Sequence, residues 1–195
     1  MEVPRAGAEA IDADEKHLRR LDEAFKTGDL TALRAAAGDA PDFPNNPMPL
    51  AVGPVLTYAI YWSPLRFIEE LLAIGADPNA HDNDGFPPLI AALCKTHPHP
   101  GSPARPDVVD VMSRLLDAGA DPNQRGLNDW TALHMAVNET NVEAVRLLLA
   151  RGADRDLRTR IDDCDTPLEM ARAGCVRKPE ETAALAAIVE SLTRT

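Results

Sequence analysis

The feature that most constrains the fold is an apolar pattern that recurs along the chain. Its clearest copy, residues 130–156, predicts two short helices, because Thr131 and Asn141 are residues that cap helix starts. Gly152 follows the second helix as the expected left-handed stop. Two helices this short cannot bury an apolar stripe without neighbours of the same kind. The stripe of the second helix has helical spacing and consists of Val142, Val145, Leu148 and Leu149.

The same stripe occurs 33 residues earlier and again 77 residues earlier. The first shift gives Val109, Met112, Leu115 and Leu116, and the second gives Leu65, Ile68, Leu71 and Leu72. Each of these helices ends at a glycine that opens a Gly-Ala-Asp sequence, at Gly75, Gly119 and Gly152. The first helices of the pairs carry their own series, Leu21, Leu56, Leu89, Leu133 and Leu168. These series predict a stack of helix pairs.

Two recurring motifs make the chain resemble an ankyrin repeat protein. Thr-Ala-Leu-His-x-Ala at 131–136 and Thr-Pro-Leu at 166–168 resemble the family's T-P-L-H-x-A marker. Gly-Ala-Asp-Pro-Asn occurs at 75–79 and at 119–123. The resemblance implies an all-α ankyrin-repeat solenoid of about five helix–turn–helix repeats with short β-hairpin-like fingers.

The predicted organisation is a flexible N-terminus, residues 1–14, followed by a single ankyrin repeat domain, residues 15–195. The third repeat holds an insert at 96–106 that is rich in proline and histidine and therefore cannot be helical. The repeats are expected at about 15–40, 50–79, 82–123, 126–156 and 162–195.

Composition narrows the classes of partner. The formal net charge of −11 argues against binding to nucleic acid or to acidic membranes, both of which need a basic face. No stretch approaches 18 apolar residues, and the N-terminus lacks the apolar run of a signal peptide. Three cysteines without a CxxC pair favour a reduced, cytoplasmic protein. We expect a monomer that needs no cofactor.

The family resemblance implies a binding surface made of finger tips and the exposed side of each first helix. Aromatic residues are enriched in binding hot spots, so each aromatic ring at these positions is a candidate contact. The alternative is that the rings pack against neighbouring repeats. The candidate partner-binding residues are Tyr61, Trp62, Phe86, Lys95, Trp130, Asn138 and Glu139.

An arginine-rich finger is a candidate anion site, because guanidinium groups bind carboxylates or phosphates in bidentate fashion. Its residues are Arg155, Arg158 and Arg160. The alternative, which we favour, is a solvated loop neutralised by Asp162, Asp163 and Asp165.

Metal and catalytic motifs are weak. Cys94, His97 and His99 are close in sequence, but zinc needs four ligands and the sequence offers no clear fourth. Residues 82–85 begin like a calcium loop but lack its final glutamate. The sequence shows no nucleophile–base arrangement and no phosphate loop. We therefore predict neither a metal site nor catalytic residues.

The sequence favours a non-enzymatic module that binds a protein through a concave groove and its fingers. The acidic charge predicts a partner with a basic face, and an inhibitor or immunity protein directed at a basic toxin or nuclease fits this description. The alternative is a small-molecule or metal-binding regulatory domain that uses residues 94–106 and the arginine-rich finger.

Overall fold

A computed structural model describes residues 6–38, 40–46, 54–81, 85–98, 103–160 and 164–194, with side chains from residue 14 onward. The described residues form ten α-helices and no β-strand. Contacts divide the chain into two compact units, residues 1–77 and residues 78–195. None of the helices formed by the described residues has the length and apolar character needed to span a bilayer.

The first unit contains two helix pairs: α1 (Ala6–Thr27), α2 (Leu30–Ala36), α3 (Val55–Trp62) and α4 (Leu65–Ala73). Helix α1 packs against α2 and α3, and α3 packs against α4. The fully buried Phe25 ring lies at the centre, 4.5 Å from the Tyr58 ring and 6.3 Å from the Phe67 ring. These aromatic contacts join the two pairs.

Helix α1 begins at Ala6, nine residues before the repeat boundary predicted at residue 15. The apolar pattern that locates the repeat starts at about residue 15, whereas residues 6–14 are mainly alanine and acidic residues. Alanine and glutamate extend a helix without needing an apolar stripe. The flexibility predicted for residues 1–14 and the single domain predicted for residues 15–195 remain predictions.

The second unit contains three helix pairs: α5 (Pro88–Leu93), α6 (Val108–Asp117), α7 (Ala132–Asn138), α8 (Val142–Ala150), α9 (Pro167–Arg177) and α10 (Thr182–Thr193). Short 3-10 helices precede α7 at Leu127–Asp129 and α10 at Pro179–Glu181. The first helices pack in the order α5, α7, α9, and the second helices in the order α6, α8, α10. The predicted stacking of helix pairs is therefore present in this unit.

The leucine series that predicted the stack lies in the core. In the first helices, Leu21, Leu56, Leu89 and Leu133 are buried, and Leu168 in the last pair is half-buried. In the second helices, the middle two residues of each stripe are fully buried and the outer two are half-buried. The fully buried residues of this series are Ile68, Leu71, Met112, Leu115, Val145 and Leu148.

Helix ends form as their sequences predict. Asn141 accepts a hydrogen bond from Ala144 N at 3.0 Å, and Thr166 accepts one from Glu169 N at 3.3 Å. Gly152 has φ +87°, the left-handed conformation that terminates a helix without a Cβ clash. These residues therefore mark the starts of α8 and α9 and the end of α8.

Asparagine side chains link one repeat turn to the next within each unit. In the first unit, Asn45 donates to Gly75 O and accepts from Asp77 N, both at 2.8 Å. In the second unit, Asn123 donates to Gly152 O at 3.2 Å and accepts from Asp154 N at 2.7 Å. Each bridge satisfies backbone groups left without partners at the end of a helix. Asn79 forms the same bridge to Gly119 and Asp121.

The fingers of the second unit are hairpin-like turns held by backbone hydrogen bonds. Gly126 N donates to Trp130 O at 2.7 Å and so closes one finger. Neighbouring fingers are joined because Leu127 N donates to Gly85 O and Arg160 N donates to Asn128 O, both at 2.9 Å. These bonds hold the finger of residues 126–130 between its two neighbours.

Candidate functional site

An open pocket of about 370 Å³ lies in the second unit, between α5, α7 and the finger of residues 126–130. Its volume is at the low end of the range of about 300–1,000 Å³ that is usual for small ligands. Most of the lining is apolar, and the polar groups are concentrated at the end of α7. The lining residues are Phe86, Ile90, Cys94, Leu127, Asn128, Trp130, Met135, Asn138 and Glu139.

The finger that forms one wall has an unusual backbone. Asn128 and Asp129 both lie in the left-handed region, with φ of 58° and 61°. This conformation is uncommon for residues with a Cβ and is often found at functional sites. A Cβ on Gly126 would lie 2.8 Å from both Gly85 O and Ile90 Cδ1, so only glycine allows this close approach. Leu127, the next residue, is 53% exposed.

His134 lies next to Trp130, a residue of the pocket wall. It is fully buried, and its ring centroid lies 6.4 Å from that of Trp130. Thr131 N donates to His134 Nδ1 at 3.2 Å, so the proton of the neutral ring is on Nε2, which contacts Asp165 O at 3.2 Å. Burial lowers the pKa of His134 below 6.5, despite the opposing hydrogen bond to Asp165 O. His134 is thus a structural residue.

The polar end of the pocket is formed by Asn138 and Glu139. Asn138 Nδ2 donates to Glu139 Oε1 at 3.0 Å. The insert reaches this end, because His97 Nε2 donates to Glu139 O at 2.9 Å and lies 4.0 Å from Glu139 Oε2. Asn141 Nδ2 also contacts Thr96 Oγ1 at 3.4 Å. The beginning of the insert is therefore fixed to the turn after α7.

Four candidate partner-binding residues of this unit meet in the pocket: Phe86, Trp130, Asn138 and Glu139. These four residues were predicted because they occupy the positions at which the ankyrin family contacts its partners. The candidate set lacks Ile90, Leu127, Asn128 and Met135, which also line the pocket. Helical spacing carried a signal for Met135, which is one turn before Asn138, but no sequence pattern predicts the exposure of Leu127.

Lys95 does not line the pocket, contrary to the expected groove contact. It is 3% exposed, and burial together with the charge of Arg105 lowers its pKa. The end of the insert contacts it, because Arg105 N donates to Lys95 O at 2.8 Å. The sequence pattern of α5 places Lys95 at the helix end but does not show that the insert covers it.

Tyr61 and Trp62 lie at the end of α3 in the first unit, and both are half-buried. The ring centroid of Trp62 is 6.4 Å from that of Tyr58, so Trp62 joins the aromatic group of that unit. Partner contact by Tyr61 and Trp62 remains a prediction.

Two arginines of the candidate anion site make intramolecular contacts. Arg155 Nη1 donates to Leu192 O at 2.9 Å at the end of α10. Arg158 forms a bidentate pair with Glu169, at 3.0 and 3.1 Å. Arg160 is exposed. Arg155 and Arg158 thus contact the end of α10 and the start of α9, and not the acidic residues expected to neutralise the finger, of which Asp162 and Asp163 lie outside the described residues. Anion binding at this finger remains a prediction.

The described residues contain no group of three or more His, Cys, Asp or Glu side chains that could hold a metal ion. Of the weak metal motif, Cys94 lines the pocket and His97 contacts Glu139. His99 and residues 82–84 of the calcium-like turn lie outside the described residues. The metal-binding alternative therefore gains no support from the described part of the chain.

Comparison with known proteins finds a family match over part of the chain. Residues 104–184 match the model for ankyrin repeats in three copies. The chain is 30% identical over 120 residues to the E3 ubiquitin-protein ligase KEG of Arabidopsis thaliana. The alignment covers 62% of the chain and 7% of KEG. The chain is 29% identical over 155 residues to the ankyrin repeat and KH domain-containing protein mask-1 of Caenorhabditis elegans. That alignment covers 79% of the chain and 5% of mask-1.

A probable E3 ubiquitin-protein ligase of Oryza sativa subsp. japonica, XBOS34, is 35% identical over 107 residues, covering 54% of the chain and 18% of that protein. The chain thus spans less than a fifth of the length of these three relatives. Ankyrin repeats generally mediate protein–protein interactions and are typically non-enzymatic modules. The helix pairs, their turns and these matches support an ankyrin repeat protein, and the family model itself matches residues 104–184.

Proposed function

We propose that this chain binds a protein partner, and that the pocket beside the finger of residues 126–130 is the centre of the contact. The observation that carries the proposal is the convergence of Phe86, Trp130 and Leu127 around one open apolar pocket. Aromatic anchors in such pockets supply most of the binding energy in protein interfaces.

Exposure of the finger supports this proposal. Leu127 is 53% exposed. The other two apolar side chains of the pocket wall, Phe86 and Trp130, are half-buried. A cluster of exposed apolar side chains on a soluble surface is unfavourable unless another molecule covers it. Leu127 lies directly before Asn128 and Asp129, the two residues of the finger with left-handed backbone angles.

Charge indicates the character of the partner. The chain has a formal net charge of −11, and Glu139 is the charged residue in the pocket lining. Complementary charge accelerates association and selects against acidic partners. We therefore propose a partner with a basic face, as expected if this chain is an inhibitor of a basic protein.

The test is affinity capture from cells of the source organism, quantified by mass spectrometry. Trp130→Ala and Leu127→Glu should each reduce recovery of the partner about tenfold or more, as expected for hot-spot residues. Val176→Glu is the matched control for Leu127→Glu, because Val176 lies on α9 of the same unit and is 84% exposed.

Equal recovery by Leu127→Glu and Val176→Glu would contradict the proposal. Leu127 is exposed, so its replacement leaves the fold intact and separates lost binding from lost folding. Trp62→Ala, made separately, tests whether the first unit contributes to partner binding.

A cytoplasmic location and a monomeric state remain predictions. Size-exclusion chromatography with light scattering tests the monomeric state.

A further inference from the structure

We infer that the pocket recognises a partner segment in which a large apolar side chain is followed closely by a lysine or arginine. This inference deepens the proposed function and rests on it. The apolar residue would fill the space between α5, α7 and the finger, and the cation would meet Glu139.

The apolar part of the pocket favours one large side chain. Ile90, Met135 and Trp130 supply three walls, and Leu127 forms the rim. Thioether and aromatic surfaces adapt to aliphatic and aromatic guests alike. The volume of about 370 Å³ suits a side chain rather than a folded element such as a helix.

The cationic preference comes from Glu139. Its side chain is only 14% exposed, and one carboxylate oxygen accepts a hydrogen bond from Asn138 Nδ2 at 3.0 Å. The other oxygen is 4.0 Å from His97 Nε2, which is beyond hydrogen-bond distance. A carboxylate in this setting can take another charge-assisted hydrogen bond, and a Lys or Arg side chain supplies it.

A second acidic group lies at the opposite side of the pocket. Asp129 follows the lining residue Asn128, and its carboxylate is 3.9 Å from Arg125 Nη1. Asp129 thus has an arginine partner, whereas no lysine or arginine among the described residues forms an ion pair with Glu139. The cation is therefore expected at the α7 end of the pocket and not at the finger.

An extended protein segment fits better than a free small molecule. The pocket is open, and the exposed Leu127 at its rim offers further apolar surface beyond the cavity itself. A small ligand is usually buried over most of its surface. A peptide can insert one side chain and still cover Leu127 with its neighbours.

A random peptide library displayed on phage tests the inference with the full chain as bait. Enriched peptides should share Leu, Met, Phe or Trp within about three positions of Lys or Arg, since successive extended residues advance by about 3.3 Å. Enrichment should disappear with Trp130→Ala and with Leu127→Glu as bait, but persist with Val176→Glu.

The charge is tested separately with a selected peptide and its Lys→Met derivative, measured by fluorescence anisotropy. Glu139→Gln should weaken the affinity for the lysine peptide about fivefold, which is the upper range for a partly exposed ion pair. The affinity for the methionine peptide should stay unchanged. The substitution preserves the hydrogen bond from Asn138 and the backbone bond to His97, so the pocket keeps its shape.

Equal effects of Glu139→Gln on both peptides, or enriched peptides without a basic residue, would overturn the inference. If cellular capture still depends on Trp130 in that case, only the recognition rule fails and the proposed function stands. If capture is also independent of Trp130 and Leu127, the proposed function itself fails.

Discussion

Asn79 is bound to Asp121 across 42 positions of sequence: Asn79 Oδ1 accepts a hydrogen bond from Asp121 N at 2.7 Å. The same side chain donates from Nδ2 to Gly119 O at 3.0 Å. One amide therefore satisfies both a donor and an acceptor of the turn that ends α6. This arrangement gives the Gly-Ala-Asp-Pro-Asn motif a physical role, because its asparagine holds the turn of the next repeat.

Loss of this bridge should weaken the second unit. We expect Asn79→Ala to lower the free energy of unfolding by about 1–2 kcal/mol, because two hydrogen bonds near the surface are removed. Urea denaturation followed by circular dichroism measures the change. Asn79→Asp is the matched control, since it keeps the acceptor for Asp121 N but sets a carboxylate oxygen against Gly119 O. An unchanged free energy of unfolding in Asn79→Ala would show that the bridge contributes little.

The buried imidazole of His134 predicts a pH dependence. Its folded-state pKa is lowered below 6.5, so the unfolded chain binds a proton that the native chain does not. The free energy of unfolding should therefore fall as pH decreases below about 6.5, until the folded pKa is passed. The change is measured by urea denaturation at successive pH values. His134→Gln should flatten this slope, and an unchanged slope in that variant would assign it to other groups.

Glu169 predicts a separate acid-sensitive step. Hydrogen bonds from Thr166, and then from Arg158, lower its pKa to about 2. The stabilisation is present above about pH 4.5 and is lost as pH falls toward 2. Thermal unfolding between pH 5 and pH 2 should show a weaker acid dependence for Glu169→Gln than for the unchanged chain. Identical curves would mean that the native carboxylate titrates normally.

The close approach at Gly126 predicts a steric effect on the finger. Gly126→Ala places a Cβ 2.8 Å from Gly85 O and from Ile90 Cδ1, so the finger must move. We expect a loss of about 1–3 kcal/mol in unfolding free energy, as for other overpacked sites, together with weaker partner binding. Binding that is unaffected by Gly126→Ala would show that the finger position does not shape the pocket.

The repeat pattern was predictable from sequence because it depends on local spacing. Leu89 and Leu133 mark the buried face of their helices, and Thr166 and Gly152 mark helix ends through backbone geometry that few residues satisfy. Each of these signals is carried within one or two helical turns. The register of the stack therefore follows from the sequence alone.

The site was only partly predictable because it depends on contacts between distant segments. Lys95 is buried by an insert whose path the sequence does not specify, and Arg155 and Arg158 bind groups at the far end of the unit and on α9. Leu127 is exposed beside Asn128 and Asp129, two residues that adopt left-handed angles without glycine's freedom. None of these features leaves a periodic signal in the chain.

Site-specific photocrosslinking tests the central claim most directly. A photoreactive phenylalanine analogue in place of Leu127 would lie at the rim of the pocket, and the same analogue in place of Val176 would lie on exposed α9. The account predicts a covalent protein adduct from position 127 that is absent from position 176. Adducts of the same proteins from both positions, or from position 176 alone, would contradict it.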